Sequence, residues 1–166
     1  METRIDVVPL RWQAGANVVV GQSHFIKTAE DIAEIMAGAG AGTGPGAKYG
    51  LAFCEASGPC LIRTEGNDPA LVADAVRCAQ DVAAGHSFYL VLKNIFPISI
   101  LNPLKACPEV CRIFCATGNP LQVVVAGTDQ GRGIVGVIDG SSPKGVEAEA
   151  DKADRRAMLR RFGYKF

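Results

Sequence analysis

A chain of 166 residues with 48% hydrophobic and 20% charged residues is long enough for one packed interior and too apolar for intrinsic disorder. Lysine plus arginine equals aspartate plus glutamate at 17 each, which argues against a nucleic-acid partner, since that would want a basic excess to neutralise phosphates. No apolar run approaches the roughly 18–20 residues that cross a bilayer, and the opening Met1–Asp6 lacks a basic-then-apolar leader, so the expectation is a cytoplasmic protein with no membrane partner and reduced cysteines.

In chain order, Arg4 to Leu10 and Asn17 to Gly21 (NVVVG) are short β-branched segments, the second apolar on both faces as a central strand would be. Thr28 offers a side-chain oxygen to a helix start, with Asp31 three residues on as in a capping box. Ile32, Ile35 and Met36 add an apolar stripe, so a helix is predicted from Thr28 to Ala37. Gly38 to Gly46 (GAGAGTGPG) has no periodic apolar face, and a glycine- and alanine-rich loop is expected over 38–47. Tyr49 to Glu55 and Cys60 to Glu65 read as strands on either side of the turn signal Ser57-Gly58-Pro59.

Asp68 caps the next helix and Pro69 takes its first position. Val72, Val76, Ala79 and Val82 line one face, and Gly85 is expected to end it. His86 to Leu92 is a further strand, and Pro97 to Lys105 a short helix that Pro103 limits. Arg112 to Ala116, Leu121 to Gly127 and Arg132 to Asp139 are predicted strands, the last two joined by a turn through Asp129, Gln130 and Gly131. A final helix from Ala150 to Phe162 has acids at its start and Arg160 and Arg161 at its end, matching the helix dipole before Gly163 stops it. The pattern predicts a single α/β layered domain over 1–166, with a mixed β-sheet flanked by helices.

Two glycine patterns fail as nucleotide motifs. Gly131-Arg132-Gly133-Ile134-Val135-Gly136 matches G-x-G-x-x-G but runs on into a β-branched strand where that fingerprint must open a helix. Gly42 to Lys48 (GTGPGAK) separates glycine from lysine and puts Tyr49 where a Ser or Thr would reach magnesium. Cys107, Cys111 and Cys115 recur every four residues without a C-x-x-C pair or a nearby histidine, so they are expected to pack rather than hold a metal.

The informative segment is Gly21-Gln22-Ser23-His24-Phe25-Ile26-Lys27-Thr28, between a buried strand and a helix start. It brings a histidine, a lysine, hydrogen-bonding side chains and free helix amides together, which suits an anionic phosphate; a capped helix with an incidental surface histidine explains it equally well. Glu65-Gly66-Asn67-Asp68 follows a strand, where it suits ribose hydroxyls or magnesium, although Asp68 already serves as a helix cap. Arg132 between two glycines lets backbone and guanidinium approach an anion together, and His86 is a second histidine at an element end.

GQSHFIKTAEDI (21–32), the EASG and EGND turns (55–58 and 65–68), AGHSF (84–88), IFCATGNPLQVVVA (113–126), GRGIVGVIDGSSPKGVE (131–147) and the closing LRRFGYKF together resemble the adenosine-specific kinase family over nearly the whole chain. The resemblance implies an α/β layered fold, a trimer-based homo-oligomer, binding of adenosine or AMP, and phosphoryl transfer. On that reading His24 is the reactive base or transient phosphate acceptor and His86 the second candidate. Ser23, Lys27, Thr28, Gly131, Arg132 and Gly133 would hold phosphate. Glu55, Ser57, Glu65, Asn67 and Asp139 would serve the nucleoside, with ATP and Mg2+ required for transfer and no structural metal. The rival is a sensor that holds AMP without chemistry.

Overall fold

The computed structural model describes residues 2–41 and 46–166. In it β1 (Arg4–Leu10) and β2 (Asn17–Ser23) lead into α1 (Thr28–Met36). The predicted loop then opens as one wide π-type turn, Ala37–Ala41, bent at Gly40. Residues 42–45, the middle of that stretch and part of GTGPGAK, lie outside the described residues. β3 (Lys48–Cys54), β4 (Ile62–Gly66), α2 (Pro69–Val82) and β5 (Ser87–Lys93) follow. A 3-10 turn (Pro97–Ser99) and α3 (Leu101–Ala106) replace the single predicted helix, with Pro103 in the first turn of α3, where a missing N–H costs no intrahelical bond. β6 (Val110–Thr117), β7 (Leu121–Thr128), β8 (Gly131–Asp139) and α4 (Glu149–Arg161) complete the chain.

The α/β layered class holds, with the strands divided between two sheets whose pairings are antiparallel. A five-stranded sheet runs β4-β3-β5-β2-β6, and a three-stranded sheet runs β1-β7-β8. Apolar side chains alternate along β2, β3 and β5 to both faces of the larger sheet. One face, with Val18, Val20, Ala52, Tyr89 and Val91, packs on α2 and the smaller sheet. The other, with Val19, Leu51, Phe53, Phe88 and Leu90, packs on α1 and α3. A sheet buried on both faces explains why β2 and β5 read as continuous apolar runs.

Two caps differ from expectation. Lys27, not Thr28, occupies the N-cap of α1 and makes no side-chain cap bond. Thr28 is fully buried, and its hydroxyl donates backwards to the Phe25 carbonyl at 2.6 Å, so no capping box forms with Asp31. α2 is capped by Asp68, which accepts from the N–H groups of Ala70 and Leu71, but it ends at Ala83 in the left-handed region rather than at Gly85. Gly50 of β3 is where α2 touches the sheet: a Cβ there would stand 2.1 Å from the backbone of Leu71 and Val72.

Candidate active site

The ends of four strands meet at one edge of the five-stranded sheet. Register places Phe53 opposite Phe88 and Phe88 opposite Gly21, so Cys54-Glu55, His86-Ser87 and Gln22-Ser23-His24 emerge together, beside the start of β6. Backbone bonds fix them. His86 N–H donates to the Cys54 carbonyl at 2.8 Å, Ser23 N–H donates to the His86 carbonyl at 2.8 Å, and His24 N–H donates to the Glu109 carbonyl at 2.8 Å.

Next to this edge lies a cleft of about 680 Å³, walled by the β3–β4 turn (Glu55, Ala56, Cys60), the α2–β5 turn (Ala83, Gly85) and the β7–β8 hairpin (Gln130 to Gly133). A smaller chamber of about 100 Å³ shares Gly85 and Gly133 with it and reaches Gln22, Ser87 and Phe114. The larger volume is in the range that takes a nucleoside-sized ligand. Gly85 permits the two turns to meet, because a Cβ there would stand 2.9 Å from that of Ala56.

Two kinds of irregularity concentrate here. Of the four described non-glycine residues in the left-handed region, Cys60 and Ala83 line the cleft and His86 (φ 60°) follows Gly85; only Asn94 lies elsewhere. Such residues cost about 1–2 kcal/mol each and persist where the surrounding structure over-determines them. Among the described residues, three buried side-chain polar atoms lack a hydrogen-bond partner: Ser23 Oγ, Tyr89 Oη and Arg132 Nε. Ser23 ends β2. Ser87 and Arg132 lie close enough to act on the Tyr89 phenol without giving it a bond of ordinary geometry, and burial pushes that phenol well above its usual range. Tyr89 Oη and Arg132 Nε lie near each other, and orphaned buried polar groups side by side mark a site for a ligand or ordered water, whereas Ser23 lines neither the cleft nor the chamber.

His86 is half-buried, its ring stacked on Phe53 with centroids 5.9 Å apart, so the imidazole stands on the α1 side of the sheet edge while its neighbours Gly85 and Ser87 border the cleft and chamber. His24 is exposed, its ring 6.1 Å from that of Phe25. Lys27 is held by Asp31 at 2.6 Å and Glu109 at 3.5 Å, and the Asp31 hydrogen bond raises its affinity for the proton. Arg132 donates to the Asp81 carbonyl at 3.2 Å and lies 3.6 Å from Asp6, tying β8 to the end of α2 and to β1. Gly131 and Gly133 line the cleft beside it.

Glu55 closes the β3–β4 turn, which contains the exposed Ser57, by accepting from Leu61 N–H at 2.8 Å and from Arg63 Nε at 2.9 Å. Those bonds, the backbone one foremost, hold its carboxyl below the usual range. A depressed folded-state value means that Glu55 stabilises the fold above its ordinary pKa of 4.5 and stops doing so as pH falls through the lower folded value. Glu55→Gln is therefore expected to flatten the acid limb of melting temperature against pH, measured from pH 6 downwards; limbs of equal slope would refute this role.

Three expected nucleoside residues are elsewhere. Glu65 pairs opposite Leu51 from the edge strand β4, and Asn67 accepts from Tyr49 N–H at 2.8 Å and donates to the Ala47 carbonyl at 3.1 Å, at the opposite end of β3 from Glu55. Asp139 accepts from Thr117 Oγ1 at 2.7 Å and Asn119 Nδ2 at 3.1 Å, eight residues along β8 from Gly131, or roughly 26 Å at the usual rise per strand residue. The Gly21–Thr28 segment, Glu65 and Arg132 thus do not line this cleft together: Asn67 and Asp139 hydrogen-bond within the fold, and Glu65 lies exposed on β4. Ser87, Cys60 and Gln130 line the cleft and chamber, with the buried Tyr89 phenol near Ser87 and Arg132; an isolated tyrosine in an otherwise apolar strand and a serine after His86 were the available signals.

No group of three or more His, Cys, Asp or Glu among the described residues is arranged to hold a metal ion. Cys111 and Cys115 lie on strand β6 and Cys107 before it, and burial pushes the Cys115 thiol up to about 11 and the Cys78 thiol up to about 12. None of the described helices is long and apolar enough to cross a membrane.

The model of the family described as adenosine specific kinase matches residues 8–165. Among solved structures, the crystal structure of the PH1918 protein from Pyrococcus horikoshii OT3 superposes over 99% of this chain and 99% of that one, with 39% identity and a TM-score of 0.91. No curated protein matches the chain.

Proposed function

The chain belongs to the adenosine-specific kinase family, and on that premise we propose that it is a cytoplasmic, homo-oligomeric phosphotransferase that binds adenosine and AMP in the cleft beside Gly85 and transfers a phosphoryl group with a histidine of the adjoining sheet edge. The observation that carries this reading is the coincidence at one edge of a nucleoside-sized cleft, left-handed residues and orphaned polar atoms.

Of the two histidines, His86 has the better-fixed geometry: its N–H and carbonyl are both bonded and its ring rests on Phe53. A catalytic group needs such pre-organisation. As a covalent acceptor, a ring nitrogen would attack the terminal phosphorus of ATP, forming P–N as the P–O bond to ADP breaks. The adenosine 5′-hydroxyl would then attack that phosphorus, lose its proton and release the imidazole. As a general base, the imidazole would instead take the hydroxyl proton while phosphorus passes directly from ATP to adenosine. Arg132, with Nε free, and the amides of Gly131 and Gly133 are the phosphate-facing groups. The carboxylates do not fit a protein-held magnesium ion, since Glu55 is engaged by Arg63 and Asp139 is remote; Mg2+ would be carried by the phosphates of ATP.

One observation favours the sensor reading: Lys27, the cation nearest His24 in sequence, is already neutralised by Asp31 and Glu109. Incubation with labelled ATP and adenosine, followed by separation of free products and acid-labile phosphoprotein, decides between them. Labelled AMP supports transfer. Saturable AMP binding without product supports the sensor.

A further inference from the structure

Two of the orphaned atoms, Tyr89 Oη and Arg132 Nε, are turned by the fold into the same space. Along β8 the exposed Gly131, Gly133 and Val135 alternate with Arg132 and Ile134, and Ile134 packs on the core between the two sheets, so Arg132 points inward with it. Along β5, Tyr89 and Val91 belong to that same core, so the Tyr89 ring points from the larger sheet toward the smaller one. β1 supplies a third group. Its Ile5 and Val7 are exposed while Val8 packs on the core, which turns the Asp6 carboxylate inward as well.

Two anchors hold the Arg132 guanidinium, and both are weak. Nη1 donates to the Asp81 carbonyl at 3.2 Å, the upper limit of hydrogen-bond length, and Nη2 stands beyond that limit, 3.6 Å from an Asp6 carboxylate that Arg4 shares at 2.9 Å. Nε is buried and has no partner among the described residues. Tyr89 is fully buried, lines neither the cleft nor the chamber, and has Ser87 and Arg132 as nearby polar groups. Burial holds the phenol proton in place, so the neutral hydroxyl can accept at its oxygen and donate through its hydrogen. The chamber of about 100 Å³ reaches Ser87 from β5 and Gly133 from β8, well above the roughly 10–15 Å³ that one water needs.

We infer that Tyr89 is a positioning residue for Arg132: its hydroxyl, through an ordered water shared with Nε, is the third anchor that aims the guanidinium at the phosphate of AMP. The inference rests on the phosphate role given to Arg132 above and names what makes that role effective. A guanidinium has five N–H groups in one plane. Asp81 and Asp6 engage one on each Nη and the water takes Nε, which leaves one on each Nη for two phosphate oxygens in the cleft that Arg132 lines. An arginine already fixed in this way loses less freedom when the phosphate arrives, so the hydroxyl favours AMP without touching it.

The test is titration calorimetry of the full-length protein with AMP and with adenosine. Tyr89→Phe removes one oxygen atom and keeps the ring, and circular dichroism is expected to show the wild-type fold. The variant is expected to bind AMP about 10-fold more weakly, the scale of one hydrogen bond to a charged group, and adenosine less than about 2-fold more weakly. Arg132→Lys keeps the charge but has no Nε, so adding Tyr89→Phe to it is expected to cost no further AMP affinity. A hydroxyl with a merely structural role would weaken both ligands equally or add its full loss in the double variant, and either result overturns the proposal. Loss of AMP affinity in Arg132→Lys with none in Tyr89→Phe overturns this proposal alone. A wild type that binds AMP no more tightly than adenosine overturns the phosphate role of Arg132 and this proposal with it.

Discussion

His86→Ala is expected to lower the rate of phosphoryl transfer by at least about 100-fold, the low end for loss of a positioned acid–base group, and to leave adenosine affinity nearly unchanged. The reason is geometric. The nucleoside would sit among Ala56, Cys60, Ala83 and Gly85, whereas the imidazole on Phe53 would meet only the moving phosphoryl group. His86 has φ 60°, so alanine would also carry a left-handed backbone cost; His86→Gly removes the ring while relieving that cost and should melt no lower than the wild type. If the histidine is a covalent acceptor, acid-labile phosphate should be present on the wild type and on His24→Ala and missing from His86→Gly. Full activity in both His86 variants would move the role to His24, and full activity without either histidine would remove histidine chemistry altogether.

Gly50→Ala is expected to produce the largest loss of stability of any single methyl addition in the sheet. The new Cβ would stand 2.1 Å from the Leu71 and Val72 backbone, and backbone cannot rotate aside as a side chain can. α2 would have to lift from β3 and break its contact with Ala52 and Cys54. Overpacking typically costs about 1–3 kcal/mol, and a clash with helix backbone belongs at or above the top of that range. For a chain of this length that corresponds to a fall in melting temperature of roughly 6–12 °C. Calorimetry checks it, and a shift within a degree of wild type would show that the helix is not seated where described.

Local chemistry was legible in the sequence wherever neighbours along the chain decide it. Asp68 with Pro69 marked the start of α2, and the β-branched runs marked β1, β7 and β8, because capping and alternation are short-range effects. The end of α2 was not legible. Gly85 looked like the cap, but its missing Cβ is needed for the approach to Ala56, and Ala83 takes the left-handed turn instead. Nor could local pattern divide the strands between two sheets, since that depends on which strand ends up beside which. The distance of Asn67 and Asp139 from the cleft has the same origin. In antiparallel sheets successive strand ends fall on opposite edges, so polar turns that look alike in sequence alternate between the site and its far side.

The strand order also sets a schedule for synthesis. β2 holds three fully buried valines, Val18 to Val20, yet both of its partners, β5 and β6, begin only at Ser87 and Val110. At ribosomal rates of roughly 5–20 residues per second, β2 waits several seconds outside the exit tunnel with both edges open. During that interval an apolar run of high β-propensity can pair with another nascent chain as readily as with its own. Slowing translation between β2 and β5 should therefore lower the soluble yield, whereas the same delay placed after β6 should not.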